Sequence, residues 1–410
     1  MKDTALKATD ITIDISEDIK SRIVKILSEI SLILSSENTT YDKTGLYEGE
    51  LGAAVFQAHL YLWSKKEKIL DRMYCNLSRS IDKINQSPQS FTFADGFAGV
   101  MWSLSHLRNL KLISSEDLEV VDGEIEDFLK RSLYIDIRDG NYDLLYGYLG
   151  KILALIEKDS TSQGLEDIYC DLEKRIIWEG TGCYLIDSDY EEQKIVNLGL
   201  AHGLPGIVMF LLKVSTLGRA KKIDRLIDGF AHWITSSANQ SLYSRFSTGR
   251  KPGDILESPS RLAWCYGDLG MALMFLSLQK HNPHQKWGSE LQLTLEALKN
   301  RNLNNSGIAK DKETDQLDIG FCHGTSGICY QFKKIFLQTG DLVIGQKMQY
   351  WLDQTITGVE SYLETNVIKT NNGSYKPDLG LLNGLSGAGI VLLSFLEVDQ
   401  HDWEKIFLLA

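Results

Sequence analysis

Proline is scarce, with six residues in 410, and stretches in which apolar and polar residues alternate are scarce too. That leaves helices as the main element, since alternation is what a half-buried strand requires. Cysteine is also sparse. Six scattered cysteines are too few for a disulfide scaffold, so in a reducing compartment they stand as core fillers, nucleophiles or metal ligands. Cys75, Cys170 and Cys183 have no chemical neighbours in sequence and read as ordinary small apolar residues. Positive charge is in deficit, 43 Lys and Arg against 55 Asp and Glu for a net of −12, with the acids spread along the chain. General nucleic-acid binding and docking on anionic membranes need clustered Lys and Arg, so neither partner is expected. No uncharged run reaches the roughly 18 residues of a spanning helix, and the opening "MKDTALKATDITIDIS" lacks the apolar centre of a signal peptide. A cytoplasmic protein is the expectation.

What the chain does have is 43% hydrophobic and 24% charged residues, the balance of a globular protein with an ample core. It also has a repeat. A Gly-x-x-Gly element begins at Gly49, Gly96, Gly147, Gly203, Gly267, Gly324 and Gly384, at intervals of 47, 51, 56, 64, 57 and 60 residues. Each copy runs into a strongly apolar stretch, such as "IVMFLLKV" or "AGIVLLSFL", and then into a more polar segment. The apolar stretches have the character of helices buried on every side. The polar segments read as amphipathic helices. In "SEDIKSRIVKILSEISLIL", Ile19, Ile23, Ile26, Ile30 and Ile33 line one face, and Ser16 with Glu17 and Asp18 marks a helix start. Stacking such units buries a core that no single unit could make. Seven of them predict an all-α fold, an α/α toroid with seven inner and seven outer helices. It would form one domain over residues 1–410, with about the first 15 residues as an extended tail. An open solenoid is the alternative, but its last apolar helix, "AGIVLLSFL", carries no polar cap. The glycines are expected to allow sharp turns at positive φ and close backbone approach.

If the repeats are equivalent, positions counted back from the first glycine share one level around the ring. Two residues back stand Tyr47, Ala94, Leu145, Ala201, Cys265, Cys322 and Leu382; one residue back stand Glu48, Asp95, Tyr146, His202, Tyr266, His323 and Asn383. Only repeats five and six carry cysteine in the first row, and His323 joins them from the second. Two thiols and an imidazole from neighbouring repeats suit Zn²⁺. The competing reading makes all three ordinary core residues. No fourth Cys or His stands nearby in this row, so one coordination position would be left for water or substrate, the mark of a catalytic zinc. Cys329, on the following helix, reads as structural. His202, Asp143 four residues back and Arg261 six residues back fall at the same level, with a structural ion pair as the competing account of Asp143 and Arg261. A zinc of this kind lowers the pKa of a bound thiol, which favours transfer of an activated sulfur; hydrolysis by zinc-activated water stays open from the ligands alone.

"AHGLPG", "WCYGDLG" and "CHGTSG", together with the seven glycine turns, closely resemble the lanthionine synthetase C-like (LanC) family over essentially the whole chain. The resemblance implies an α/α toroid with one Zn²⁺ per chain, held by Cys265, Cys322 and His323. It implies addition of peptide Cys thiols to dehydroalanine or dehydrobutyrine, a lyase-class closure of thioether rings. His202 would then be the acid/base and Asp143 the residue that orients it. Arg261 and Tyr266 would line the site, with Arg261 placed to stabilise enolate charge. The partners implied are a dehydrated precursor peptide with its leader, a separate dehydratase (410 residues being too few to include one) and an exporter, through which the protein would associate with the membrane. A LanC-like enzyme adding glutathione to dehydrated residues, and a non-catalytic peptide-binding toroid, are the alternatives. Toroidal prenyltransferases also activate a thiol with zinc, but with a different ligand pattern.

Overall fold

The computed structural model describes residues 11–36, 44–86, 90–114, 119–159, 165–187, 192–215, 220–239, 243–254, 258–283, 286–310, 315–371, 378–396 and 402–409. Most of the expected extended tail, residues 1–10, lies outside them; residues 11–16 carry no regular structure. The first helix, α1 (Glu17–Leu34), starts where its sequence says it should: the Ser16 hydroxyl accepts from Ile19 N at 3.3 Å, and Ile23, Ile26 and Ile30 are buried.

Helices then alternate between two environments. Half-exposed ones are α1, α3 (Glu67–Gln86), α5 (Glu119–Asp139), α7 (Leu165–Arg175), α9 (Ala220–Ser236), α11 (Trp287–Lys299) and α13 (Leu342–Asn371). Between them come α2 (Glu50–Ser64), α4 (Phe97–Asn109), α6 (Tyr148–Asp159), α8 (Leu204–Ser215), α10 (Asp268–His281), α12 (Thr325–Thr339) and α14 (Leu385–Leu393), each beginning directly after the first glycine of its repeat. In α8 every residue from Leu204 to Leu212 is buried. Tertiary packing of this kind sustains helices whose first turns carry a glycine, a residue costing about 1 kcal/mol in a helix interior.

Backbone hydrogen bonds between the glycine turns decide between ring and solenoid. Tyr47 N donates to Ala94 O, Ala94 N to Leu145 O, Leu144 N to Ala201 O, Ala201 N to Cys265 O, Cys265 N to Cys322 O, Cys322 N to Leu382 O, and Leu382 N back to Tyr47 O, at 2.8–3.5 Å. These acceptors are the seven residues two positions before the glycines. The cycle closes, and α14 packs against α2. The molecule is an α/α toroid, with inner helices surrounded by outer ones.

The glycines act mostly by close approach. Of the seven first glycines only Gly267 has positive φ, +96°, which corrects the expectation of a left-handed turn in every repeat. Sterics explain the others. A Cβ on the first glycines Gly96, Gly147 or Gly203 would lie 2.3 Å or less from the carbonyl oxygen of Ser90, Asn141 or Asn197, and one on the second glycines Gly52, Gly150 or Gly387 would come as close to that of Leu46, Leu144 or Leu381. A second glycine requirement sits four residues before the first glycine, where the chain touches the turn of the next repeat: a Cβ on Gly380 would stand 2.4 Å from Tyr47 O and 2.6 Å from Glu48 Cα. Gly380→Ala must therefore open the seam between repeats seven and one, and is expected to cost about 1–3 kcal/mol as overpacking does. Gly123→Ala, in α5 with nothing within 4 Å, should instead stabilise by about 0.5–1 kcal/mol. Thermal melts of the two variants check this; equal shifts would contradict it.

Among the described residues two small ribbons interrupt the helical pattern. The expected loop Trp178–Asn197 begins with a hairpin, β1 (Ile177–Glu179) with β2 (Gly182–Tyr184), that packs on α9, and ends in β3 (Val196–Asn197), paired with β4 (Gly249–Arg250). Its residues 188–191 lie outside the described residues, as do 311–314 of the other expected loop, Asn300–Gln316, which contains a 3₁₀ turn at Leu303–Asn305. A second 3₁₀ helix, Trp403–Phe407, contacts repeats one, three, five and six at once: Tyr47 Oη donates to Ile406 O, Lys405 meets Glu157, Trp264 Nε1 donates to Phe407 O, and Lys334 meets Glu404. Reaching four repeats at once places it on the axis of the ring. Among the described residues no helix is long and apolar enough to cross a membrane.

Candidate functional site

The residues one and two positions before the glycines form two layers. The upper layer, Glu48, Asp95, Tyr146, His202, Tyr266, His323 and Asn383, is partly or fully solvent-exposed throughout, so it lines the mouth; the layer beneath is buried except at Cys322. The dipoles of the inner helices add to this, because all seven helices start at the same mouth and their N-terminal ends favour negative charge there.

Repeats five and six supply the cysteines. Because Cys265 N donates to Cys322 O across the seam, the two side chains leave adjacent backbone and meet. Their Sγ atoms and a ring nitrogen of His323 all lie within 4.8 Å of one another. The thiol of Cys322 donates to Cys265, which holds the Cys265 thiol well below the ordinary range and pushes Cys322 well above it; Arg261, whose Nη2 is 3.8 Å from Cys265 Sγ, favours the anion on both. Asp318 fixes the histidine. Its Oδ1 accepts from Gly320 N at 2.7 Å and its Oδ2 lies 3.1 Å from His323 Nε2. That contact, first, and the neighbouring Cys265 raise the His323 pKa to about 9. It also leaves Nδ1 as the other ring nitrogen, buried and without a hydrogen-bond partner. Two sulfurs and an orphaned imidazole nitrogen fit a zinc ion: the donors are of the right kind, three in number, and backed by a carboxylate as zinc-bound histidines usually are.

The second pair comes from repeats three and four. In most repeats the position four before the glycine touches the mouth residue of the next repeat and is glycine: Gly45 against Asp95, Gly199 against Tyr266, Gly320 against Asn383, Gly380 against Glu48. Repeat three has Asp143 there, and its neighbour is His202. Asp143 Oδ1 accepts from Leu145 N (2.7 Å) and Tyr146 N (2.9 Å), and Oδ2 is 2.5 Å from His202 Nδ1. Burial opposes a charge on His202, but the hydrogen bond and charge of Asp143, with a smaller share from Cys265, outweigh it and raise its pKa. The Tyr266 ring lies 6.2 Å from that of His202, and its hydroxyl accepts from Asn197 Nδ2 at 3.4 Å. All seven residues singled out from the sequence thus stand at one mouth. Cys183 and Cys329 are buried, with their thiols pushed up by desolvation, while Cys75 and Cys170 are exposed on outer helices.

A family model described as lanthionine synthetase C-like protein matches residues 40–408. The chain belongs to that family. It is 26% identical over 412 residues to the nisin biosynthesis protein NisC of Lactococcus lactis subsp. lactis, a match covering 94% of this chain and 82% of the relative. A solved structure titled nisin cyclase superposes with a TM-score of 0.69 at 18% identity, covering 96% of this chain and 98% of that one, which establishes the shared fold.

Three polar residues of this LanC-like site were not picked out from the sequence: Asp318, Asn197 and Asp187, whose Oδ2 accepts from Asn197 Nδ2 at 2.8 Å. A signal existed for two of them. Counting six residues back gives Asn141, Asn197, Arg261, Asp318 and Asp378 in repeats three to seven, a polar row of which only Arg261 was noticed. Asp187 reaches the site through the β3 ribbon and has no place in the repeat count.

Proposed function

We propose that this protein is a zinc-dependent lanthipeptide cyclase, adding peptide Cys thiols to dehydroalanine or dehydrobutyrine to make lanthionine and methyllanthionine rings. The observation that carries the reading is the convergence of Cys265, Cys322 and His323 beside the His202–Asp143 pair in a chain of this family. The 26% identical relative, a nisin biosynthesis protein, supports the same reading. Cys265, Cys322 and His323 would hold the metal. Zinc, when bound, lowers the pKa of a thiol in its open position so that the sulfur is an anion at neutral pH.

The chain's own groups account for the rest. Attack of sulfur on the β-carbon of the dehydro residue pushes the C=C electrons onto the carbonyl oxygen, giving an enolate, and the α-carbon then takes a proton. His202 is the donor we assign. Asp143 occupies Nδ1 and leaves Nε2 without a hydrogen-bond partner among the described residues, placed to hold and deliver that proton. Arg261 and the helix N-termini favour the anions on the way. The Tyr266 hydroxyl, held by Asn197, lines the path beside them. A cavity of about 730 Å³ opens next to Arg261 and Tyr266 and runs along Asn197, Thr248 and Arg250, room for a peptide segment around the reacting thiol. A dehydratase would supply the dehydrated residues, and the peptide would be met in the cytoplasm, before any exporter.

Asp143→Asn tests the assignment of the proton donor. Asp143 raises the His202 pKa and burial lowers it, so removing the carboxylate leaves burial in charge and the pKa falls. A general acid acts only while protonated; the alkaline limb of the rate profile should move to lower pH, and turnover at pH 7 should drop by about tenfold or more. An unmoved limb would contradict the assignment. The function as a whole is tested by incubating the purified protein with dehydrated, Cys-containing peptides and counting the thiols left for alkylation. Loss of thiols without change in peptide mass is expected; unchanged thiols across several peptides would refute a cyclase.

A further inference from the structure

The seam hydrogen bonds fix where Cys265 and Cys322 sit along the ring, but they do not fix how far each turn leans toward the axis. What occupies the axis does that. The residues immediately before the two cysteines are Trp264 and Phe321, both fully buried, and both rest on one side chain from the far end of the sequence, Phe407, which is fully buried as well. The Phe407 ring stacks on Phe321 with centroids 3.8 Å apart and planes at 23°, and meets the edge of Trp264 at 5.0 Å and of Tyr47 at 5.5 Å. Trp264 Nε1 donates to the Phe407 carbonyl at 2.9 Å.

The segment carrying Phe407 is itself pinned on several sides. Tyr47 Oη donates to Ile406 O at 2.6 Å; Lys405 Nζ is 3.4 Å from Glu157; Glu404 meets Lys334 at 2.5 Å and accepts from the Tyr330 hydroxyl; Trp403 packs on Tyr330, centroids 4.8 Å apart. An anchored aromatic ring thus props the two turns that carry the sulfur ligands, and no other described segment touches both Trp264 and Phe321 through a single ring.

We propose that Phe407 is a positioning residue of the metal centre: through Trp264 and Phe321 it sets the separation of Cys265 and Cys322 and so tunes metal affinity. The inference rests on the metal reading above. Metal sites need their donors within a few tenths of an ångström, and supporting residues that touch no metal still govern affinity. Removing the Phe407 ring leaves a void beside Trp264 and Phe321, into which both can relax.

The test measures zinc dissociation constants by chelator competition, and the thiolate-to-cobalt absorption of the Co²⁺-substituted protein, for the parent chain, Phe407→Ala, Phe407→Leu and a control, Phe230→Ala. Phe230 is fully buried on the outer helix α9, so its truncation costs stability without touching the axis. Phe407→Ala should bind zinc about tenfold or more weakly with an altered cobalt spectrum, Phe407→Leu should lie between, and Phe230→Ala should match the parent. Phe407→Leu keeps the test alive if the alanine variant fails to fold. Parent-like affinity and spectrum in a folded Phe407 variant would overturn the inference alone, as would equal weakening in Phe230→Ala. A parent protein that binds no zinc would overturn the metal reading and this inference with it.

Discussion

Cys322→Ala is expected to lose the metal and cyclisation together while keeping the fold. Alanine already stands at the equivalent position in repeats two and four, as Ala94 and Ala201, each buried and each making the same seam hydrogen bonds. The substitution therefore removes a ligand atom from a position that tolerates the smaller side chain. Two donors remain, Cys265 and His323, and a two-donor site does not retain zinc against dialysis. Metal content should fall from about one zinc per chain to near none, and thioether formation should fall below detection, while the helical signal and melting profile match those of the chelator-treated parent. A metal-replete but inactive variant would refute the ligand assignment. Full activity in a variant without metal would refute zinc dependence.

His202→Asn should give the complementary result, full metal content with little turnover. Asparagine is native at this position in repeat seven, as Asn383, so the turn accepts it. Its amide can still face Asp143, but it cannot carry a proton to carbon. Loss of a positioned acid costs about 10²–10⁴-fold in rate, and the metal ligands, in repeats five and six, are untouched. Zinc stoichiometry and single-turnover ring closure measured on one preparation check both halves. Turnover within a few-fold of the parent would move the proton-donor role to another group at the mouth, with the Tyr266 hydroxyl the first to examine.

The two substitutions rest on the same fact about the fold. Seven-fold register was readable because the glycines are imposed by backbone sterics: Gly52, Gly150 and Gly387 cannot carry a Cβ, so the spacing marks of the architecture persist whatever the other residues do. Counting back from them put Cys265, Cys322 and His323 in neighbouring turns, and the structure has their donor atoms within 4.8 Å of one another. Asp143 was found by the same count, but the reason it meets His202 was not: only the structure shows that position four touches position one of the next repeat. Contacts outside the repeat frame left no periodic trace. Asp187, which meets Asn197, lies in the segment inserted between α7 and α8, and the two- or three-residue strands of that segment are too short to show alternation. Phe407 escaped for a similar reason. An aromatic residue near the last lines of the sequence is unremarkable until the ring closes around it, and its partners Tyr47, Trp264 and Phe321 are scattered across hundreds of residues.

Zinc K-edge X-ray absorption on the purified protein tests the central claim most directly. The account predicts a four-coordinate zinc with two sulfur neighbours at about 2.3 Å and one imidazole nitrogen at about 2.0–2.1 Å, the last position taken by a light atom. Adding a thiol peptide should raise the sulfur count from two to three. A shell of nitrogen and oxygen only, or a preparation that closes thioether rings with no zinc to measure, would contradict it.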